Sequence, residues 1–187
     1  MELRPPHYSH WRNAATPSFS TQQKYWLSRP GALTTGLRGL GPLELRVVRE
    51  YAHGLLPCDA WMVAGVPRSP IWVREIIMSI DGVDSVFARS FTPLNASHGL
   101  WQGMRRLRTR PLADMLYNDP QIARSRFFSC RLTNQNPLYH CARNMLGAHC
   151  PPAHAMLARC STFWRRGQPL LVAECFLPEF WPVAQRL

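Results

Sequence analysis

Two runs of bulky residues, many of them β-branched or aromatic, flank the dipeptide Asp81-Gly82. The first run is IWVREIIMSI (71–80), and the second is VDSVFARSFTP (83–93). An Asp-Gly pair between two such runs is typical of a tight hairpin, because both central residues of a type I′ turn adopt positive φ angles. The pattern therefore predicts two antiparallel strands joined by a two-residue turn.

Similar patterns predict a second hairpin and two further strands. MLARCSTFW and PLLVAECFLP flank the segment RRGQ, so a turn is expected near Gly167. PLELRVVREYAH (42–53) and RSRFFSCRLT (124–133) also have strand character. Together these runs predict about six strands in one mostly antiparallel sheet.

Helical segments are few and short. TQQKYWLSR (21–29) can form a helix that stops at a Pro-Gly pair, and ALTTGLRGLG then gives a short turn or helix ended by glycines. TRPLADMLYND (109–119) has a cap candidate in Thr109 and a proline, Pro111, near the first helical turn. We therefore expect an α+β fold in which helices cover one face of the antiparallel sheet.

The length of 187 residues suits one domain with an additional arm. Residues 1–20 contain three prolines and no apolar periodicity, so we interpret them as a flexible N-terminal arm. The remaining residues, 21–187, form a single domain in this interpretation. Within it, residues 134–156 contain three further prolines and are predicted to be an insertion loop with at most one short helix.

Arg74 is a lone charge in an apolar strand. Since side chains alternate between the two faces of a strand, Arg74 shares its face with Trp72, Ile76, Met78 and Ile80. A two-residue turn at Asp81-Gly82 would place Arg89 directly opposite Arg74. Like charges in opposed positions destabilise a sheet. Two arginines on one apolar face therefore predict an anion between or beside them.

Glu174 is the corresponding lone charge in the last predicted strand, on a face with Leu170, Val172 and Phe176. An unpaired buried carboxylate costs several kcal/mol. One interpretation is an internal Arg74–Glu174 ion pair that only satisfies the core. The other is a cavity for a small anion. Arg74 and Arg89 together carry one more charge than Glu174 can neutralise, and this excess positive charge favours the cavity.

The formal net charge is +11, and Lys24 is the only lysine. Such a balance favours anionic partners. GMRRLRTR (103–110) is the densest basic run, but it lacks the interleaved aromatic residues of a nucleic-acid stacking platform. The chain also has no helix-turn-helix, zinc-finger or RNA-recognition signature. We therefore expect a solvated basic surface and no nucleic-acid partner.

The N-terminus has no apolar core of a signal peptide, and no window approaches 18 apolar residues. These features predict a cytoplasmic protein without stable membrane insertion. Six cysteines are present, and a reducing cytosol disfavours disulfides between them. The segment HCARNMLGAHC lacks the two-residue spacing of a zinc knuckle, so free thiols are expected there and no metal site.

Three motifs carry a family resemblance. WVREIIM, followed by DG and ARSFTP, then RPLADML, and finally RCSTFWRRGQPLLVAECFLP resemble chorismate lyase from about Trp26 to Pro178. That enzyme cleaves chorismate into 4-hydroxybenzoate and pyruvate at the start of ubiquinone synthesis. The chain departs from the family pattern in its N-terminal arm, in the longer segment 134–156, and at Arg159-Cys160, where paired arginines are expected.

The resemblance implies roles for four residues. Arg74 would bind the ring carboxylate and Glu174 would lie at the ring hydroxyl, so both are candidate catalytic and substrate-binding residues. Leu33 and Leu112 would line the same pocket. The implied activity is a carbon–oxygen lyase with chorismate as substrate and 4-hydroxybenzoate as product, and with no cofactor and no metal. We also expect the protein to be a monomer.

Three points stay open at the level of sequence. Arg89 is free to balance the second carboxylate of chorismate, or to pair with Glu174 or Glu75. The Gly- and Pro-bounded segments 31–41 and 54–70 are both candidates for a lid. The alternative function is a non-catalytic domain of the same fold type that senses a small carboxylate.

Overall fold

One antiparallel sheet organises the chain. The computed structural model describes residues 3–6 and 10–185, and within these ranges the sheet has seven strands. Their spatial order is β1-β2-β3-β7-β6-β4, and β5 also pairs with β6. The strands are β1 (Leu43–Gly54), β2 (Pro70–Ile80), β3 (Val83–Pro93), β4 (Ile122–Arg124), β5 (Phe128–Arg131), β6 (Leu157–Arg165) and β7 (Gln168–Phe176). The predicted α+β class and antiparallel sheet are confirmed, with one strand more than the six expected.

In the part of the chain that the structure describes, six short α-helices connect or flank these strands. They are α1 (Thr21–Ser28), α2 (Leu33–Arg38), α3 (Leu94–His98), α4 (Ala113–Leu116), α5 (Pro137–Leu146) and α6 (Phe180–Ala184). A capping box between Ser20 and Gln23 defines the start of α1. None of the helices in the described ranges has the length and apolar character needed to cross a membrane.

Both predicted hairpins are present. Asp81 and Gly82 have φ angles of 50° and 76°, and Arg166 and Gly167 have φ angles of 47° and 75°. Two successive positive φ angles are the property that an Asp-Gly or X-Gly pair supplies in a two-residue turn. β2 and β3 therefore form one hairpin, and β6 and β7 form the other.

The predicted register of the first hairpin is wrong by one residue. A β-bulge between Met78 and Ser79 shifts the pairing, so that Arg74 lies opposite Ser90 and not opposite Arg89. A bulge inserts one unpaired residue and turns every later side chain to the other face. Arg89 consequently lies on the face opposite to Arg74, and the predicted pair of arginines on one apolar face does not exist.

Both faces of the sheet are covered, whereas the sequence predicted helices on one face only. On one face, α1, α2 and α6 pack over Ile76, Met78 and Ala88. On the other face, α5 and the 54–70 segment pack over Val73, Ile77 and other apolar side chains. The cause is the near-continuous apolar sequence of the central strands, which is buried on both sides.

Residues 134–156 contribute to this second face. They include α5, which begins with an Asn136 cap followed by Pro137, and two short 3₁₀ turns. Leu138, Tyr139 and Ala142 are buried in the core. The segment therefore contains the one helix that was expected in it, and this helix is packed into the core.

The N-terminal residues are also partly fixed. Trp11 and Phe19 are buried, and Arg12 forms an isolated β-bridge with Ser129. The flexible arm was predicted over residues 1–20, of which 1–2 and 7–9 lie outside the described residues, as do 186–187 at the end of the predicted domain. A buried tryptophan and a backbone bridge anchor residues 10–20 to the sheet, as apolar burial predicts.

Two other predicted elements are shorter than the sequence pattern suggested. The helix predicted over 109–119 contains only α4, whose N-cap is Leu112 and not Thr109. The strand predicted over 124–133 divides into β4 and β5. Both pair with β6, at different positions along that strand.

Candidate functional site

A small cavity that is open to solvent lies between one face of the sheet and two short helices. The sheet contributes its floor through Ile76, Met78, Ala88, Ser90 and Val172, among others. The start of α2 and the segment around α4 form its roof. Most of the lining side chains are apolar, which is typical of a site for a small organic ligand with few polar contacts.

Three of the four residues predicted for the site line this cavity. Leu33 and Leu112 belong to the roof, where they begin α2 and precede α4. Both are buried, at 3% and 7% exposure. Glu174 lies on β7 in the cavity wall.

The fourth residue, Arg74, lies beside the cavity on the same face of the sheet. Its cross-strand partner Ser90 and its neighbour Ile76 both line the cavity. The Arg74 side chain is 2% exposed, and its Nε lies 3.1 Å from Oε1 of Glu50. Burial lowers the pKa of Arg74 below the usual arginine value, and the Glu50 carboxylate counteracts this effect.

Arg74 also positions the roof. Its Nη2 donates hydrogen bonds to the carbonyl oxygens of Arg108 and Arg110, which immediately precede the Pro111-Leu112 segment of the roof. The hydrogen bonds that Arg74 makes to described residues use Nη2, and the ion pair with Glu50 uses Nε. These contacts do not involve the remaining nitrogen, Nη1.

The predicted internal Arg74–Glu174 ion pair is not present, since each residue has a different partner. Arg74 lies in line with Ser90 and Val172 across the sheet, and Glu174 is two positions further along β7. Strand spacings of about 4.8 Å and a rise of about 3.3 Å per residue place their Cα atoms about 12 Å apart. The cavity floor lies between them.

The partner of Glu174 is Arg159, a residue that the sequence interpretation treated only as a departure from the family pattern. Nε of Arg159 donates to Oε2 of Glu174 over 2.6 Å. The two residues are directly opposed in the β6–β7 hairpin. A two-residue turn at Arg166-Gly167 fixes this pairing. Counting back from this turn along both strands would have predicted from the sequence that Arg159 lies opposite Glu174.

Arg89 and Glu75 form a separate network on the other face of the sheet. Glu75 is fully buried and accepts hydrogen bonds from Arg49 Nε (2.5 Å) and Tyr51 Oη (3.0 Å). Nε of Arg89 lies 3.5 Å from Glu75, and its Nη1 lies 3.1 Å from Asp59. Of the alternatives left open for Arg89, the structure places it with Glu75, on the face of the sheet opposite to the cavity.

This network has the electrostatics of a buried structural cluster. Burial raises the pKa of the Asp59 carboxyl, against the opposing effect of the Arg89 guanidinium. Burial also raises the pKa of Tyr51. Because the sheet separates these groups from the cavity, they do not contribute to its polar lining.

Tyr117 lies at the solvent-facing edge of the cavity. It lines the cavity and is 44% exposed. Its hydroxyl donates to the carbonyl oxygen of Gly31 over 2.8 Å and accepts a hydrogen bond from Arg124 over 2.7 Å. This contact joins the end of α4 to the segment that leads into α2, so it links the two parts of the roof.

Of the two segments predicted as lid candidates, 31–41 and 54–70, only 31–41 contributes residues to the cavity lining.

The structure offers little for a metal ion or a disulfide. No group of three or more His, Cys, Asp or Glu side chains suited to a metal occurs in residues 3–6 and 10–185. All six cysteines are free thiols. Burial raises the pKa values of the Cys130, Cys160 and Cys175 thiols, so these three behave as apolar core side chains.

The fold is similar to the ligand-binding domains of bacterial regulators. A transcriptional regulator of the GntR family from Bacillus cereus matches with a TM-score of 0.51 and 8% identity, over 73% of this chain and 92% of that chain. The ligand-binding domain of a putative GntR-family regulator from Bordetella bronchiseptica matches with a TM-score of 0.51 and 14% identity, over 73% of this chain and 85% of that chain. At these identities the likeness shows a shared fold.

Sequence relatives are much closer. A probable chorismate pyruvate-lyase from Bordetella pertussis is 57% identical over 175 residues, covering 94% of this chain and 92% of that protein. A probable chorismate pyruvate-lyase from Bordetella avium is 56% identical over 174 residues, covering 91% and 84%. A probable chorismate pyruvate-lyase 1 from Pseudomonas entomophila is 38% identical, covering 94% and 92%.

The family model described as chorismate lyase matches residues 6–186. This match covers nearly the whole chain, including the Arg74 and Glu174 strands and both parts of the roof. The chain belongs to the chorismate lyase family.

Proposed function

We propose that the protein converts chorismate to 4-hydroxybenzoate and pyruvate, the first committed step of ubiquinone biosynthesis. One observation carries this proposal within the family. An apolar cavity has the Arg74 guanidinium beside one end of its floor, and at the other end its wall holds the Glu174 carboxylate, whose charge is paired with Arg159. A para-substituted ring acid has an anionic group at one end and a hydroxyl at the other, which matches this polarity.

Arg74 would bind the ring carboxylate through Nη1. An arginine is always charged and its planar guanidinium suits a carboxylate. The contacts of Nε with Glu50 and of Nη2 with two backbone carbonyl oxygens fix the orientation of the guanidinium before substrate arrives. Such preorganisation lowers the entropy cost of binding and holds the ring in a reactive pose.

Glu174 would contact the C4 hydroxyl of the ring. The reaction breaks the C3–O ether bond and removes the hydrogen at C4, and the electron pair of the C4–H bond completes the aromatic ring. The enolpyruvyl group leaves and becomes pyruvate after it gains a proton. A carboxylate next to C4 is able to orient the hydroxyl or to accept the proton, two roles that the geometry allows equally.

The apolar walls complete this site. Leu33 and Leu112 lie over the cavity and exclude water from the ring and from the breaking ether bond. Aromatisation supplies the driving force and the electrons stay within the substrate, so we propose that the reaction uses no cofactor and no metal.

We further propose that the protein acts in the cytoplasm, in agreement with its six free thiols, which are typical of a reducing compartment. The expected monomeric state stays a prediction. Light scattering on the purified protein measures it directly.

The test of the function is incubation of purified protein with chorismate, followed by chromatography of the products. We expect 4-hydroxybenzoate and pyruvate to form in equal amounts, with unchanged rates after treatment with a chelator. Folded protein that binds 4-hydroxybenzoate but forms no product would support the sensor function instead. Folded protein that neither binds 4-hydroxybenzoate nor converts chorismate would contradict both the lyase function and the sensor function.

A further inference from the structure

We infer that Arg159 is a positioning residue for the lyase reaction: it fixes the Glu174 carboxylate in the cavity wall and joins it to the segment that enters the roof. The inference rests on the proposed function. Arg159 itself lines the cavity, but its Nε is paired with the proposed catalytic carboxylate and its Nη1 with two backbone carbonyl groups. Its effect on the reaction would pass through Glu174.

The contact between the two side chains is short and shielded. Nε of Arg159 donates to Oε2 of Glu174 over 2.6 Å, and the Arg159 side chain is 2% exposed. The ring of Phe127 lies 4.4 Å from the guanidinium carbon, so the ion pair is covered by an aromatic face. A charged hydrogen bond in such a protected position is stronger than one on the surface.

The rest of the Arg159 guanidinium is anchored to backbone. Nη1 donates to the carbonyl oxygens of Trp26 and Arg29, over 2.9 and 3.1 Å. These carbonyl groups lie at the end of α1, where a helix leaves its last acceptors without partners. The guanidinium therefore satisfies the helix end and the carboxylate together, and it has little freedom to rotate.

This anchoring decides which oxygen of Glu174 is offered to the substrate. Oε2 is occupied by Arg159, which leaves Oε1 for the ring hydroxyl. A carboxylate held through one oxygen by a rigid donor presents the other oxygen in one direction. Misplacement of a catalytic group by about 1 Å costs on the order of 100-fold in rate.

The same anchoring couples the wall of the cavity to its roof. Trp26 and Arg29 precede the Ala32–Thr34 segment that lines the cavity. Arg29 continues the connection, because its Nη1 donates to the carbonyl oxygen of Ala32 over 3.0 Å. Substrate contacts at Glu174 and at Leu33 thus share one supporting side chain.

A double-mutant cycle tests the inference. The variants are Arg159→Gln, Arg159→Lys, Glu174→Gln and the combination of Arg159→Gln with Glu174→Gln. Arg165→Gln is the matched control, because Arg165 also lies on β6 and pairs with a carboxylate, Asp119, outside the cavity. Each variant is assayed for kcat, KM, 4-hydroxybenzoate affinity and melting temperature.

We expect Arg159→Gln to lower kcat by roughly 10- to 100-fold while KM changes by less than about 3-fold. Arg159→Lys should restore part of kcat, because an ammonium group can still donate to Glu174. In the Glu174→Gln background, loss of Arg159 should lower kcat by less than about 3-fold more, since its effect depends on the carboxylate. Arg165→Gln should keep the wild-type kcat.

Several outcomes overturn the inference. If the double variant lowers kcat by the product of the two single effects of Arg159→Gln and Glu174→Gln, Arg159 does not act through Glu174. Full kcat in folded Arg159→Gln, or failure of both Arg159 variants to fold, would make the residue purely structural. These results require an active wild-type protein. A folded wild-type protein that is inactive on chorismate would overturn the proposed function itself, and the role of Arg159 with it.

Discussion

Arg74 and Glu75 are adjacent in the chain, but their side chains lie on opposite faces of the sheet and belong to separate ion-pair networks. Arg74 contacts Glu50 and the roof of the cavity. Glu75 contacts Arg49, Tyr51 and Arg89 in the core beneath the other face. Because side chains alternate between the faces of a strand, Arg74, which we assign to the substrate, is separated by the sheet from its chain neighbour Glu75, which we assign to stability of the fold.

The first prediction concerns Glu75. We expect Glu75→Gln to lower the free energy of unfolding by roughly 3 kcal/mol, because Arg49 and Arg89 lose the charge of a fully buried partner. The kcat of the remaining folded protein should stay at the wild-type value. Urea unfolding and turnover per folded molecule measure the two effects. A large fall in kcat with unchanged stability would contradict the assignment of Glu75 to the core.

The second prediction concerns Arg74. Arg74→Ala should weaken 4-hydroxybenzoate binding by about 10- to 150-fold, since a charged hydrogen bond contributes roughly 1.5–3 kcal/mol. Calorimetric titration measures the affinity. Arg46→Ala is a suitable control, because Arg46 also forms an ion pair from the neighbouring strand but is 62% exposed. Normal turnover in folded Arg74→Ala would remove Arg74 from the substrate site.

The sequence predicts the two hairpins because their turns contain glycine at positions that require positive φ. It also predicts Glu174 as a lone charge on a buried face. It does not predict the register beyond Met78, because a bulge depends on how β2 and β3 pack and leaves no mark in the local pattern. Because the prediction did not include the extra residue of this bulge, it placed Arg89 on the same face as Arg74, whereas the structure has it on the opposite face.

Other features were missed because they depend on contacts between distant segments. Glu50 reaches Arg74 from the neighbouring strand, and the carbonyl groups of Trp26 and Arg29 reach Arg159 across 133 and 130 residues. The sequence does contain a start signal for α5, an Asn136 cap followed by Pro137, but the face of the sheet on which this helix packs depends on distant segments. The assignment of Arg74 and Glu174 to substrate still rests on the family resemblance and on their position at the cavity.

The third prediction is loss of stability at alkaline pH. Burial raises the pKa of the Cys141 thiol to about 11, and it raises the pKa values of the buried core thiols as well. A neutral buried thiol stabilises the fold fully below the ordinary thiol pKa of about 8.5, and this stability is lost as the pH rises towards the folded value. The melting temperature should therefore fall above about pH 9.

Cys141→Ala isolates one part of this effect. We expect its melting temperature to fall less steeply between about pH 9 and pH 11 than that of the wild type, because one raised thiol pKa is absent. Scanning calorimetry at several pH values gives both slopes. Identical slopes would mean that the Cys141 thiol is not protected from ionisation in the folded state.

The fourth prediction concerns release of the product. Tyr117→Phe removes the hydroxyl that joins the end of α4 to Gly31, while the ring stays in contact with Phe163. A hydrogen bond of this type contributes roughly 0.5–1.5 kcal/mol, so dissociation of 4-hydroxybenzoate should be about 2- to 12-fold faster. Stopped-flow displacement measures this rate. An unchanged rate would show that the roof opens elsewhere.

The most direct test of the central claim is a crystal structure of the protein with 4-hydroxybenzoate bound. We predict that the ring lies between Leu33 and Leu112, with its carboxylate within hydrogen-bond distance of Arg74 Nη1 and its hydroxyl within hydrogen-bond distance of Glu174 Oε1. The Arg159–Glu174 contact should persist in the complex. Product bound outside this cavity, or bound in it with its carboxylate away from Arg74, would contradict the account.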